Sequence, residues 1–393
     1  MSYPQHRPTL TISPILNKGK ERMNRLTSSR DELLKLLGQG AGIVERRQTL
    51  PILANVLIQH NANGTLFITS DMEVQIRLQA GGAVQTSAED AAITVNMRKL
   101  LDILRAASPG NVTLEWSDGK MTVRAAKSRF SLQTLPAEDF PLVRAATDFS
   151  DHALRLPQKL LKRLLGLTHF AMAQHDIRYY LNGMLWVADG QQMHLVATDG
   201  HRMTLATAPL EKAVERREII LPRKTVLELS RLLSDEDDAM IDIALASNQA
   251  RLTLDGLEFT SKLIEGKFPD YQRVVPKGHR NMLQVERTTL QAALQRVAIL
   301  TNDKFKGVRV NLEPGLLRLT SINAEQEEAQ EEIDVDYGGD VIEIGFNIAY
   351  LIDALANMTS DQIRLELQDG NSSALFTMPD EPNFKYVVMP MRI

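Results

Sequence analysis

An apolar–acidic–apolar helix core recurs three times along the chain. It appears as Leu100-Leu101-Asp102-Ile103-Leu104, Val226-Leu227-Glu228-Leu229 and Leu351-Ile352-Asp353-Ala354-Leu355, at strides of 126 and 125 residues. After each core comes a Phe with Ser or Thr and then a second Phe: Phe130-Ser131 with Phe140, Phe259-Thr260 with Phe268, and Phe376-Thr377 with Phe384. Before each, a Leu pair opens an amphipathic helix, at Leu33/Leu37, Leu160/Leu164 and Leu290/Leu294. Solenoid repeats run about 20–50 residues, so a stride this long implies tandem globular domains of one fold. Such a chain presents one surface three times over. That suits a scaffold or ring better than a single buried active site.

At 393 residues the chain exceeds what one core organises, and its 44% apolar content is enough for several. The repeat sets domain bounds at 23–148, 151–276 and 280–393, with Pro276-Lys277-Gly278 as a linker. Residues 1–22 fall outside it. They hold three Pro, no acid before Glu21 and no long apolar core, and read as a mobile N-terminal extension rather than a signal peptide. The lack of Cys excludes disulfides and thiolate metal sites and allows a reducing compartment. No apolar run approaches the ~18 residues of a membrane span. The expected location is cytoplasmic.

Inside each unit the pattern is helix, strands, helix, strands. The first helix runs from Ser29 to Leu37, with Ser28 or Ser29 as its cap and Asp31-Glu32 in its first turn. Alternating stretches at 55–59, 65–69 and 74–78 follow, broken at Asn63-Gly64. Helix 96–106, a strand pair about Asp118-Gly119 and a strand near 128–134 complete the unit. The second unit predicts helix 158–171, strands on either side of Asp189-Gly190, helix 222–233 and strands about Asp255-Gly256. The third predicts helix 287–300, strands about Glu313-Pro314-Gly315, helix 347–357 and strands about Asp369-Gly370. The class is α+β, with helices on one side of antiparallel sheets.

Basic residues gather on helix faces although the formal net charge is −4. Lys159, Lys162 and Arg163 share one face of helix 158–171, opposite Leu160, Leu161, Leu164 and Leu165. Arg98, Lys99 and Arg105 do the same on helix 96–106, and Arg223, Lys224 and Arg231 on helix 222–233. Helix 347–357 carries no Lys or Arg. Two readings stand: solvated faces, or a local positive track that neutralises phosphates without reading bases.

Catalytic chemistry finds little support. Asp199-Gly200-His201 sets a carboxylate near an imidazole, but no nucleophile elbow accompanies it. His169 and His175 lack the i, i+4 spacing of a helical metal pair. Asp235-Glu236-Asp237-Asp238 reads as a solvated acidic loop rather than a Mg²⁺ site. No GxxxxGK[ST] loop is present. The expectation is a non-enzyme with no catalytic residue, metal or cofactor.

Several stretches, in order and within the threefold repeat, carry a family resemblance. They are Thr49-Leu50-Pro51-Ile52-Leu53, Arg178-Tyr179-Tyr180-Leu181-Asn182-Gly183, and Ala197-Thr198-Asp199-Gly200-His201-Arg202. Phe268-Pro269-Asp270-Tyr271, Glu325-Gln326-Glu327-Glu328-Ala329 and Tyr386-Val387-Val388-Met389-Pro390-Met391-Arg392-Ile393 join them. From Met23 to Ile393 the chain resembles the bacterial replicative sliding clamps, the β subunits of DNA polymerase III. The resemblance implies three domains of one fold and a head-to-tail homodimer ringing double-stranded DNA without sequence preference. Helices would line the hole and sheets the outer wall. It further implies a processivity role, with polymerase activity residing in other subunits. Implied partners are the clamp loader complex, the replicative polymerase α subunit, and translesion polymerases and repair proteins carrying a Gln-Leu-x-Leu-Phe-like motif. A tandem-domain DNA-binding protein without ring topology is the alternative.

The resemblance also assigns residues. DNA contacts carry over to Arg47, Arg98, His175, Tyr179 and Tyr180, where His175 replaces the amide of many relatives. Read alone, either Tyr also fits sheet packing. An apolar peptide groove between the second and third domains would be built from Leu181, Thr198, Gly200, His201, Arg202, Met203, Pro269, Arg273, Val274, Asn347, Tyr350 and Ser373. The terminal Val387, Val388, Met389, Pro390, Met391 and Arg392 would complete it, although Val387–Met391 also reads as a buried final strand. Ring closure would join two different surfaces. One offers Lys127 and Arg129 beside Phe130 and Leu132, with Arg98 and Lys99 nearby; the other offers Glu325, Glu327, Glu328, Glu331 and Glu332 with Ile299 and Leu300.

Overall fold

The computed structural model describes residues 24–44, 50–81, 85–86, 90–117, 119–149, 154–302 and 306–392. The expected extension 1–22 and the contact residue Arg47 lie outside them. The chain separates into two compact units. The first holds most of the N-terminal repeat; the second holds residues 39–47, 68–78 and 141–393.

In the first unit, helix α1 (Arg30–Gly40) starts where predicted: the Ser29 hydroxyl accepts the Glu32 N–H at 3.1 Å. Strand Asn24–Ser29 pairs antiparallel with Asn111–Ser117, that strand with Lys120–Ala125, and that in turn with Ser128–Leu135. Asn55–Asn61 pairs with Ala91–Asn96. Helix α2 (Met97–Ala106) is capped by Asn96, whose side chain accepts from Lys99 N. Its Leu100, Leu101 and Leu104 are buried, as are Leu26, Val112, Leu114 and Val123 on the strands. Glu115, also buried, accepts from Arg25 at 2.7 Å and Arg124 at 2.9 Å. The Arg124 and then the Arg25 guanidinium hold its carboxyl below the usual range.

The second unit contains α3 (Gln158–Thr168), α4 (Arg223–Leu232), the single turn α5 (Tyr271–Val274), α6 (Arg287–Val297) and α7 (Ile348–Asn357). Leu154–Pro157, Met240–Leu245, Gln249–Leu254 and Leu257–Lys262 form an antiparallel run that continues onto residues 74–78. A six-stranded sheet takes Gly183–Thr198, Arg202–Pro222, Glu381–Val388, Ala374–Met378, Gln362–Leu367 and Asn281–Glu286 in that order. It therefore joins strands of the second repeat to strands of the third. Gly307–Glu313, Leu316–Ile322, Glu328–Asp334 and Ile342–Asn347 make a third sheet.

Two local expectations are corrected. Asp189-Gly190 is not a turn between two strands: Gly183–Thr198 runs through it against Arg202–Pro222, with register shifts around Gly190. An Asp-Gly pair serves a bulge as readily as a hairpin, and the 21-residue partner strand fixes the bulge here. Helices 158–171 and 287–300 end early as α-helix, at Thr168 and Val297, each finishing in a 3₁₀ turn. Among the described residues, no helix is long and apolar enough to cross a membrane, and no group of three His, Asp or Glu could hold a metal ion.

Candidate functional site

The residues expected to build the groove gather where strands of the second repeat meet strands of the third. Strand register places Thr198 opposite Met203, Met203 opposite Val387, and Val387 opposite Leu375. Residues opposite one another share a sheet face. On that face Leu181, Met203 and Val387 join Val196, Phe268, Tyr271 and Leu375 in one buried cluster, with Val274 and Tyr180 packed against it. The connecting turn is tightly held: the Asp199 carboxylate accepts the N–H groups of His201 at 2.9 Å and Arg202 at 3.0 Å. Thr198 Oγ1 donates to the Arg202 carbonyl at 2.6 Å and accepts from Gly200 N. Gly200 sits at φ +89°, and a Cβ there would lie 2.8 Å from an Arg178 nitrogen.

The remaining groove candidates lie around this cluster with graded exposure. Val387 and Val388 are fully buried in the last strand, whereas Met389 is 38% exposed. The following Pro390 and Met391 are half-buried and Arg392 is exposed, so this segment is both strand and surface. Met389 N donates to the His201 carbonyl and Met391 N to that of Gly345, each at 2.9 Å. His201 and Pro269 are exposed; Arg273 is exposed and paired with Asp270. Asn347 caps α7 by accepting from Ala349 N, and Ser373 is half-buried before its strand.

Arg202 occupies a different position from an open groove wall. Its guanidinium donates to Asp199 at 3.1 Å, Asp353 at 2.7 Å and the Phe170 carbonyl at 2.8 Å, and lies 4.3 Å from the Tyr350 ring centre. With its side chain 9% exposed, it braces the two repeats. Phe170, Leu205, Tyr271 and Leu375 went unidentified as site residues. Asp353 had a signal: it is the acid of the third helix core, on a helix with no Lys or Arg of its own.

The loop before Gly183 carries three DNA-contact candidates. Arg178 donates to both carboxylate oxygens of Asp176, at 3.0 and 2.9 Å, and to the Asp199 carbonyl at 3.1 Å. Those bonds hold the Asp176 carboxyl down to about 2. Asn182 closes the loop by exchanging two 2.9 Å bonds with the Asp176 backbone. The stapled loop presents exposed His175 and Tyr179, with His175 in the left-handed region at φ 56°. Ile177 at its tip is 96% exposed. Tyr180 is half-buried, its ring 5.9 Å from that of Tyr179. Arg98 is exposed on α2.

The expected positive track is smaller than the sequence suggests. On α3, Lys159 pairs with Asp237 at 2.7 Å, Lys162 with Asp235, and Arg163 with Glu381. On α4, Lys224 pairs with Asp71 and Arg231 with Glu228, while Arg223 donates to the Met172 carbonyl. The acidic loop 235–238 is thus partly committed to the lysines of α3.

Among the strands left unpaired on one side, two carry the residues expected at ring closure. Residues 128–133 bond to Lys120–Ala125 on one side only; beyond them just Thr134 and Leu135 meet a second strand. This edge carries exposed Lys127 and Arg129 with half-buried Phe130 and Leu132. In the third repeat, Glu328–Asp334 pairs with Leu316–Ile322 alone. Near it in sequence lie exposed Glu325, Glu327 and Glu328, while Glu331 is held by two 2.7 Å bonds from Arg296. Ile299 is 77% exposed and Leu300 half-buried.

Comparison with known proteins establishes the family. Three family models match in succession: the N-terminal domain of the DNA polymerase III beta subunit over 24–144, the central domain over 155–270 and the C-terminal domain over 272–392. The beta sliding clamp of Pseudomonas putida is 45% identical over 372 residues, covering 93% of this chain and 99% of that protein. That of Escherichia coli K12 is 41% identical over 371, covering 94% and 100%. A crystal structure of the Pseudomonas aeruginosa DnaN sliding clamp bound to griselimycin superposes with a TM-score of 0.88 at 43% identity, covering 94% of this chain and 100% of that one. The Caulobacter crescentus pol III beta structure gives 0.86 at 35%, with the same coverage. The chain is three tandem clamp domains and belongs to the DNA polymerase III beta subunit family.

Proposed function

We propose that two copies of this sliding clamp close head to tail around duplex DNA and tether the replicative polymerase α subunit to it. The clamp loader, translesion polymerases and repair proteins dock through Gln-Leu-x-Leu-Phe-like peptides in the groove. The observation that carries ring closure is that two open sheet edges have opposite charge at or beside them, Arg129 with Lys127 just before the first strand and Glu328 with Glu325 and Glu327 just before the second. Pairing one chain's first edge with the other's second satisfies both rows of backbone groups, and doing so twice closes a ring. Ile299 supplies apolar area, with burial of such a side chain worth about 1.5–3 kcal/mol. Topology then retains the DNA. Weak backbone contacts from Arg47, Arg98, His175, Tyr179 and Tyr180 permit sliding and read no sequence.

The deciding experiment loads the protein on nicked circular DNA and cuts the circle once. Release on linearisation is expected; retention on the linear product with free ends overturns the ring reading in favour of ordinary groove binding. Replacing Ile299 and Leu300 by Ala should give monomers, and an unchanged dimer at micromolar concentration counts against this interface. A Gln-Leu-x-Leu-Phe peptide should bind in the micromolar range, since only two or three side chains are buried and the peptide must be ordered. Deleting Met389–Ile393 should abolish that binding and leave the dimer intact.

A further inference from the structure

The sheet face that forms the groove does not end there. Along Arg202–Pro222, Met203, Leu205 and Thr207 point the same way, because side chains alternate along a strand. Register sets Val196 and Lys385 on either side of Leu205, and His194 beside Thr207. Each such row is about 7 Å from the next. The two rows past Met203 floor a cavity of about 360 Å³, covered by Tyr271, Gln272, Val275 and Lys277. Its apolar floor is shared with the groove: Tyr271 belongs to the same buried cluster, and Leu205 and Val275 pack against it.

The chemistry of this cavity differs from that of the groove. Its lining holds two lysines, Lys277 and Lys385, and no Asp or Glu. Neither ammonium has an ion-pair partner among the described residues. Gln192, Gln272 and Asn383 add amide donors. His194 is engaged with Thr207 at 2.9 Å, its ring centre 6.5 Å from that of Tyr271, which fixes the back wall. The space suits one or two side chains, with donors and positive charge at its rim.

We propose that this cavity is a second specificity site, taking an acidic residue that flanks the docking peptide of a partner protein. Continuity of the sheet face with the groove and the charge of the lining select the occupant. A carboxylate gains two ammonium neighbours; a lysine or arginine at the same place meets two like charges. The inference rests on the groove reading, because the flank reaches the cavity only when the peptide core is docked.

The test uses the full chain and fluorescent peptides: the Gln-Leu-x-Leu-Phe core, the core with an Asp-Glu pair on one side or the other, and the core with a Lys-Lys pair at the same places. One acidic flank should tighten binding about three- to tenfold at low salt, as one or two exposed ion pairs allow, and the gain should shrink at high salt. Lys277→Glu with Lys385→Glu should erase that gain while core binding stays within twofold. If the core binds and neither acidic flank helps, or the gain survives the charge reversal, this site is wrong and the groove stands. If the core itself fails to bind, the groove reading falls first and this one with it.

Discussion

Helices α2 and α3 carry much the same layout, basic residues on one face and leucines on the other, yet they end with different charge to offer. On α3 all three cations are met, Lys159 by Asp237, Lys162 by Asp235 and Arg163 by Glu381. On α2 only Arg105 is paired, to Asp102 one turn away, and Arg98 and Lys99 have no partner among the described residues. The difference comes from remote chain. An acidic loop after α4 and a strand of the third repeat reach α3. Counting basic residues on a helix face overstates its positive potential wherever the fold returns carboxylates to it. Exposed pairs of this kind are worth about 0–1 kcal/mol, so α3 is screened rather than silenced.

That contrast can be broken experimentally, most sharply on the unpaired side. Arg98→Ala with Lys99→Ala should weaken direct DNA binding roughly tenfold or more and flatten the log–log salt dependence by about 1.8 units. Lys159→Ala with Lys162→Ala should cost half as much or less. Equal losses from the two pairs, measured by fluorescence anisotropy across a salt series, would show that the carboxylates on α3 do not matter.

A somewhat smaller effect is expected where the repeated helix-core acids are compared. Asp353→Asn removes a partner of nearly buried Arg202 and should destabilise the third repeat by about 1–2 kcal/mol in a urea titration. Asp102→Asn loses only an exposed i, i+3 pair and should change stability by about 0.5 kcal/mol or less. Matching midpoints for the two variants would remove the distinction between brace and surface pair. Next in size, Asp235→Asn with Asp237→Asn should free Lys159 and Lys162 and tighten DNA binding about threefold, with a steeper salt slope. A looser complex would mean that the acidic loop supports α3 structurally.

The smallest effect concerns pH. The Lys159 ammonium holds the Asp237 carboxyl below its usual range. A depressed carboxylate keeps its pairing above the unfolded value, near 3.8, and loses it only as pH falls through the lower folded value. The α3 contribution to DNA binding should therefore be constant from pH 7.5 to 5. A salt slope that steepens within that window would contradict the pairing.

Much of the fold was legible because its signals are local. The Ser29 cap, the Asn63-Gly64 break and the turn at Asp255-Gly256 each depend on residues within a few positions. That the residues assigned to the groove lie together was legible in part, through stretches that carry family resemblance rather than through any local physical signal. Tyr271 and Leu375 were missed because a buried side chain in a cluster looks like any other core residue until its neighbours are known.

By itself, then, the sequence determined three domains of one fold, their helices and most strands, because periodicity and caps act over one or two turns of chain. Only the tertiary structure decided what those elements expose. Arg202 became a brace rather than a free groove wall because Asp353, 151 positions away in sequence, reaches it. Val387 became part of a buried cluster shared with the preceding repeat because its strand pairs with Arg202–Pro222. The α3 face has its positive charge screened by Asp235, Asp237 and Glu381. Each outcome depends on contacts between residues far apart along the chain, and charge and burial are properties of those contacts rather than of any segment alone.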